Sequence, residues 1–523
     1  MALNRLIPVL WLVAIVIAAP NAASAAKWEK YVKAADKASE AGDYEAAESL
    51  YLQALETAKT ESGAKHPDVS VVLNELGGLY GAQSRFDEAE SAYSRAIAID
   101  LQALGGESEE IAADYNNLAR LYVLRGRFEK AETLYRDALA IWEKIGGPNH
   151  RNIAVAAINL GEMFRDQGRY DEAEAQFNRA IGVDEAVYGP DHPEVSTDLN
   201  SLAGLYREQG RYREAEIAYN RAIRIREQAR GPDDPTVAEA INNMAHLYED
   251  LGRYGDVERL YKRALAIWEK SRGPKHPDVA IALNNLAGLY RTLKRYGEAE
   301  PLFLRTIAID EAVYGPDHPE VATDVSNLAG LYEDMDRGGE AETLYQRALE
   351  IRRNAYGPVH PQVAAGLNNL ARLYRSQKRF DKAEPLYRSA IDIWKSSLGP
   401  DHPLVAAGLV NLAGLFLMRS RYDDAEALYL QALAIDERAY GADHPEVAID
   451  VANLARMYLD QGRFEPAESS FQRALKIREK VFGPDHPDVA DSLENYARLL
   501  RETGRPAEAA KLERRAAEIR AGQ

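Results

Sequence analysis

The chain has 523 residues, which an ordinary globular protein would divide among roughly three or four domains. Its 64 basic and 82 acidic residues leave a net charge of −18, which excludes both the basic face that a nucleic-acid binder needs and docking on an anionic membrane surface. With 46% apolar residues it can bury a core, and with no cysteine it has no disulfide, no Cys-based zinc site and no thiol nucleophile.

The first 25 residues stand apart from the rest. Arg5 is followed by an uncharged apolar run, Leu6 to Ala19, and Ala23-Ser24-Ala25 has the small-x-small form of a signal-peptidase site. A secretory signal peptide over 1–25 is expected, and with it an exported protein, periplasmic or secreted, of bacterial type. No cysteine follows the cut, so a lipoprotein is not expected, and no second run of that length predicts membrane insertion of the mature chain.

From there one period organises the chain. Gly189-Pro190-Asp191-His192-Pro193 recurs with small changes every 42 residues, its glycine falling at Gly63, Gly105, Gly147 and so on to Gly483 without an insertion or deletion. Units are predicted to start near 27, 67, 109, 151, 193, 235, 277, 319, 361, 403, 445 and 487, so that 26–523 forms one domain of twelve units. In the copy from 193, Val195, Leu199, Leu202, Ala203, Leu205 and Tyr206 mark the apolar face of a first helix, and Gly210-Arg211-Tyr212 breaks it. A second helix carries Ala215, Tyr219, Ala222 and Ile223; Gly231 suits a left-handed residue past its end and Pro235 the first turn of the next helix.

Three columns say how such a hairpin closes. One small residue recurs in each helix (Gly77, Ala119, Gly161 in the first; Ala89, Ala131, Ala173 in the second), which lets the axes approach closely. An aromatic column (Tyr93, Tyr135, Phe177, Tyr219 and on to Phe471) is expected to wedge into the next hairpin. In the last copy the aromatic becomes Glu513, within a highly charged helix, as at the end of a solenoid. This pattern of small, aromatic and Gly-Tyr positions resembles the tetratricopeptide repeat. Leu-Asn-Asn-Leu-Ala-Gly-Leu-Tyr (283–290) with Gly-Pro-Asp-His-Pro is similar to the 42-residue repeats of kinesin light chain and its bacterial relatives. The resemblance implies an all-α, right-handed superhelix of about twelve hairpins whose family binds peptides, and no catalytic residue.

The first helices would then line the concave surface. One of their columns is Asn117, Asn159, Asn243, Asn285, Asn327, Asn369, Asn411, Asn453 and Asn495, with Glu75 and Ser201 as exceptions. Asparagine is a weak helix former, so nine at one mid-helix position need a reason. An amide can pair with both the C=O and the N–H of an extended peptide, and the resemblance implies that use, since superhelical members of the family employ an Asn at the matching position. The alternative is that each Asn bonds a neighbouring helix. Arg372, Arg375, Arg456, Arg498 and Arg501, with Val410, Leu417, Ala452 and Leu459 among them, predict a basic groove with an apolar patch in the C-terminal half. Such a groove would take a partner segment with acidic and aliphatic side chains.

Nine of the ten histidines (His66, His150, His192, His276, His318, His360, His402, His444, His486) hold one turn position and predict helix N-caps, while His246 lies alone on the inner face. A further cycle, Trp142, Asp184, Arg226, Trp268, Asp310, Arg352, Trp394, Asp436, Arg478, repeats every three units and reads as duplication of a three-hairpin block. The chain is therefore expected to be a non-catalytic scaffold, monomeric, binding a segment of a protein partner and using no cofactor or metal. A self-assembling structural scaffold is the rival reading, and an enzyme a distant third.

Overall fold

The computed structural model describes residues 27–40, 43–83 and 85–521; the expected signal peptide lies outside the described residues. Twenty-four α-helices follow one another as twelve antiparallel pairs, an all-α right-handed solenoid with no strand among the described residues. Hairpin 1 is α1 (Lys27–Glu40) and α2 (Tyr44–Ser62). The first helices of hairpins 2 to 6 are α3 (Pro67–Ala82), α5 (Glu109–Leu124), α7 (Arg151–Asp166), α9 (Pro193–Glu208) and α11 (Pro235–Asp250). Those of hairpins 7 to 12 are α13 (Pro277–Thr292), α15 (Pro319–Asp334), α17 (Pro361–Ser376), α19 (Pro403–Met418), α21 (Pro445–Asp460) and α23 (Pro487–Glu502). The second helices between them run from α4 (Phe86–Ala103) to α24 (Pro506–Ala521).

The local reasons for these helices are chemical. At each first helix that follows a histidine, the imidazole Nδ1 accepts the backbone N–H two residues on, so the expected N-cap role holds for all nine. The glycines past the second helices do lie at positive φ, but Gly189 (φ 93, ψ 159) occupies the extended region open only to glycine rather than the left-handed helical one. The aromatic column closes over its own hairpin: a Cβ added to Gly77 or Gly161 would lie 2.7 Å from the ring of Tyr93 or Phe177. It also reaches the next hairpin, where Arg372 donates to the Tyr345 hydroxyl at 2.8 Å. At the last copy, Glu513 takes both nitrogens of Arg501 at 2.6 Å in place of that ring.

The arginine of each Gly-Arg-Tyr turn fixes one hairpin to the next. Arg211 lies 3.9 Å over the Tyr206 ring, pairs with Glu174 of the preceding hairpin at 2.6 Å and with Glu214 of its own second helix at 2.6 Å. Arg169, Arg295 and Arg337 repeat the arrangement.

Six hairpins complete one turn of the solenoid, and the two turns touch. His318, His360, His402, His444 and His486 each donate Nε2–H to a carbonyl 236 residues earlier: Ala82, Leu124, Asp166, Glu208 and Asp250, at 2.7 to 3.1 Å. Each of those carbonyls belongs to the last residue of a first helix, so α15 stands end-on upon α3, α17 upon α5, and so to α23 upon α11. Because Nδ1 accepts and Nε2 donates, the imidazoles are neutral and in one tautomer. Aromatic rings reinforce the seam: Tyr44 on Tyr314, Phe86 on Tyr356, Tyr170 on Tyr440 and Tyr212 on Phe482, at 5.5 to 6.0 Å. The upper ring of each pair stacks in turn on its histidine at 4.1 to 4.6 Å. Gly168, Gly210 and Gly252 turn at φ near 70, and a Cβ on any of them would lie 3.0 Å from Pro403, Pro445 or Pro487 of the turn above.

Burial pushes His360, His402 and His444 down to about 4. The unfolded chain therefore takes up protons first, and the stability these histidines confer is full above about pH 6.5 and is lost as pH falls toward about 4. We expect H360N/H402N/H444N, which keeps capping side chains but loses the reach to the lower helices, to melt below wild type at neutral pH in thermal denaturation. The gap should close on acidification to about pH 5; a constant gap would refute the assignment. Gly168→Ala should cost about 1–2 kcal/mol, and Gly462→Ala, with φ 70 but no neighbour above it, distinctly less.

Candidate functional site

The first helices of neighbouring hairpins touch one another and form the inner wall. A ring of six at the usual helix spacing encloses a channel on the order of 10 Å wide, enough for an extended polypeptide but not for a folded domain.

Most of the amide column is engaged along this wall. Asn159, Asn243, Asn285, Asn327 and Asn411 donate Nδ2–H to Asn116, Asn200, Asn242, Asn284 and Asn368 of the preceding hairpin, at 2.9 to 3.2 Å. Asn159 is buried, whereas Asn243, Asn285, Asn327 and Asn411 stay half-buried and keep a second N–H and the carbonyl oxygen. Asn117 and Asn369 are buried. The ladder stops after Asn411, because the next two places for an acceptor amide are Val410 and Ala452. Asn453 instead accepts from Arg456, and Asn495 donates to the Asp491 carbonyl of its own helix at 2.8 Å.

The charged positions of the wall compensate one another in the same sideways direction. Arg165 spans Glu162 at 2.5 Å and Glu208 at 3.6 Å, and Arg291 reaches Asp334 at 2.5 Å. Arg372 pairs with Glu333 at 2.8 Å, and Arg375 donates to the Asn411 carbonyl at 3.0 Å. A Cβ on Gly330 would sit 2.6 Å from Arg291, and one on Gly414 2.9 Å from Arg375: glycine on one hairpin makes room for arginine from the one before. His246 hydrogen-bonds Glu249 at 3.1 Å and the Tyr261 hydroxyl at 2.8 Å. The groove of hairpins 8 and 9 is thus less basic than its arginines suggest.

In hairpins 10 to 12 the wall's charges thin out and their pairs lie exposed. The helix α19 carries no charged residue from Pro403 to Met418. Arg456 and Arg498 are exposed, the latter held only by surface pairs with Asp460 at 3.4 Å and Glu502 at 3.2 Å. Leu417 is half-buried and Leu459 buried; Met418 (49% exposed) and Ile449 (39%) extend the apolar patch beyond the residues the sequence suggested. The unbroken uncharged run of α19 was the signal that could have located it. This part of the wall opens at the free upper rim of the solenoid, with no turn above it.

The residues 31–102, 110–186, 152–228, 236–312, 323–396, 362–438, 404–480 and 448–521 match the model of the tetratricopeptide repeat. The chain belongs to the tetratricopeptide repeat family. That family generally mediates protein–protein interaction on a non-catalytic scaffold. Among solved structures, this tetratricopeptide protein is similar to BtubC (BKLC) from P. vanneervenii, with 25% identity over 45% of this chain and 92% of that one, at a TM-score of 0.36. It is likewise similar to a kinesin light chain-type protein of Podosopora anserina with nearly identical repeats, with 23% identity over 39% of this chain and 97% of that one, at a TM-score of 0.33. No curated protein matches it. Among the described residues of this solenoid no helix is long and apolar enough to cross a membrane, and no group of three or more His, Asp or Glu side chains could hold a metal ion.

The three-unit cycle lies between hairpins rather than in the groove. The residue fourteen positions on, in the next first helix, is Ala156, Asp198, Ala240, Ala282, Asp324, Gly366, Gly408, Asp450 and Ser492. Each Trp and Arg therefore faces a small residue and each Asp faces an Asp. A Cβ on Gly408 would lie 3.0 Å from Trp394. Trp268 and Trp394 donate to the Pro235 and Pro361 carbonyls at 3.2 Å; Arg226 and Arg478 donate to Ser196 and Ser492 at 2.9 and 2.7 Å. Asp184 with Asp198, Asp310 with Asp324 and Asp436 with Asp450 are buried carboxyl pairs: burial pushes all six up, the partner's charge raises Asp198, Asp324 and Asp436 further, and the hydrogen bond within the pair tempers the rise at Asp184, Asp310 and Asp450. Folded, such a pair holds protons that the unfolded chain has lost, so its contribution fades as pH rises from about 4 through the raised values. Asp450→Asn, which keeps a hydrogen-bonding partner for Asp436, should raise the melting temperature above wild type at about pH 8 and have little effect near pH 5.

Proposed function

We propose that the chain is a non-catalytic scaffold that receives an extended segment of a partner protein on the concave face of hairpins 10 to 12, entering from the upper rim. The observation that carries this is the coincidence there of three lapses. The sideways amide ladder ends, Arg456 and Arg498 are exposed on the wall, and Leu417, Met418 and Ile449 of α19 and α21 remain partly uncovered. Elsewhere much of the wall's amide and arginine capacity is engaged by neighbouring hairpins, and the seam closes the side of the solenoid where its two turns meet. Arginines flanking aliphatic side chains fit a segment of alternating acidic and aliphatic residues, with the half-buried Asn495 beside them for its backbone. Export to the periplasm or beyond is part of the same reading and rests on the leading segment; mass spectrometry of the protein recovered after bacterial export should show Ala26 as the first residue.

Binding of fluorescein-labelled peptides that alternate Glu or Asp with Leu, followed by anisotropy, tests the site. R456E/R498E should weaken binding at least tenfold and N495A several-fold. N243A/N285A should lower the melting temperature while leaving binding in place. Equal binding by R456E/R498E and wild type would refute the site.

A further inference from the structure

The seam between the two turns keeps a fixed register. Each histidine meets the carbonyl 236 residues before it, and the contacts of ring on ring and proline over glycine are spaced as regularly. The parts of this seam recur on the two free rims. On the upper rim, Tyr296, Phe380, Tyr422 and Phe464 hold the places of Tyr44, Phe128, Tyr170 and Tyr212 one turn below. Tyr44, Phe128 and Tyr170 are buried under the seam, whereas all four upper rings stay partly exposed. On the lower rim, Leu104 and Tyr188 hold the places that Tyr356 and Tyr440 take one turn above. With Ile145 and Val187 they form an apolar edge whose members are 41 to 46% exposed. Tyr188 is already stacked on His192 at 4.5 Å, as Tyr440 is on His444 at 4.1 Å. His192 caps its helix through Nδ1, and its Nε2 has no partner among the described residues.

A second copy seated lower rim on upper rim in the same register would bring matching parts together. Its His66, His150 and His192 would meet the carbonyls of Asp334, Met418 and Asp460, each the last residue of a first helix like the carbonyls inside the seam. Its Tyr188 would lie on Tyr422, its Ile145 beside Phe380 and its exposed Arg230 over Phe464. Its Pro193 and Pro235 would come over Gly462 and Gly504, as Pro403 and Pro445 lie over Gly168 and Gly210. Those are the two adjacent hairpins of the upper rim whose connecting residue is glycine. Lys378 would meet Glu109, and Lys294 and Ser420 would face no proline. Pro67 alone would come over a larger side chain, Asp336; Ser84 stands at the same spacing before Pro319.

We propose that the two rims are complementary docking surfaces, and that a second copy of this chain seats its hairpins 2 to 6 on hairpins 8 to 12 of the first, continuing the seam from molecule to molecule. A contact of that kind does not close on itself and builds an open, head-to-tail stack. It has fewer histidine and ring partners than the internal seam, so it is the weaker joint and its occupancy depends on concentration. The inference is independent of the peptide site, because Arg456 and Arg498 lie on the inner wall and take no part in the joint. In a stack, the entry to hairpins 10 to 12 from the upper rim stays open only in the last copy.

Sedimentation velocity from about 1 to about 100 µM, without peptide, provides the test. Wild type should shift to larger, concentration-dependent species. G462K/G504K sets side chains under Pro193 and Pro235 in the backbone conformation that Lys294 and Lys378 already adopt, and it should stay one species with an unchanged helical signal. A wild type that remains a single species throughout overturns the proposal, as does a double variant that associates equally. The register has a test of its own, since the chain has no native cysteine. E109C/K378C puts one thiol on each rim, and the two stacked helices between them, each about 24 Å long, keep the pair from meeting within one molecule. Oxidation by dissolved oxygen should give a ladder of disulfide-linked multimers on a non-reducing gel; monomer alone would overturn the register.

Discussion

The contact on which the rest of this molecule depends is an imidazole between two helix ends. One nitrogen satisfies an orphan N–H at the start of an upper helix and the other an orphan carbonyl at the end of a lower one. That bridge requires the first helices of successive turns to be coaxial, which in turn requires six hairpins per turn and an unvarying repeat length. A single inserted residue in one hairpin would displace a histidine from its carbonyl. The constant spacing of the sequence is therefore a geometric requirement as much as a trace of duplication.

Closing the turns on each other makes the inner wall a scarce surface. Its amides bond sideways, its arginines lie over glycines or against acids of the next hairpin, and its single inward histidine is held by a glutamate and a tyrosine. The side chains that could meet a guest are largely the ones that hold the hairpins together. The amide ladder ends only toward the C-terminal end, where valine and alanine replace the accepting asparagines.

The hairpins, their caps and the charged last helix were all legible in the sequence, because each is set by residues within one repeat. What the sequence hid was the second partner. His402 reads as an N-cap from its place before Pro403, but its other nitrogen meets Asp166, 236 residues away, and no local pattern encodes that. The asparagine column invited a peptide ladder because its acceptors lie in a different column of the preceding hairpin, one residue out of register. Arg372 and Arg375 looked like free positive charge because Glu333 and the Asn411 carbonyl are neighbours only in space. Asp436 was visible as part of a cycle, yet only the packing put Asp450 against it.

The three-hairpin cycle and the six-hairpin turn are commensurate. Each block of tryptophan, aspartate and arginine interfaces is half a revolution long, so Asp184 and Asp436 fall in the same angular sector, one above the other, as do Trp142 and Trp394. Ancestral growth by whole blocks would have preserved that vertical matching at every step, whereas gaining one or two hairpins would have set unlike interfaces over one another. Like interfaces consequently stand above like ones at the same angle of the two turns, half a revolution being the unit in which the pattern returns.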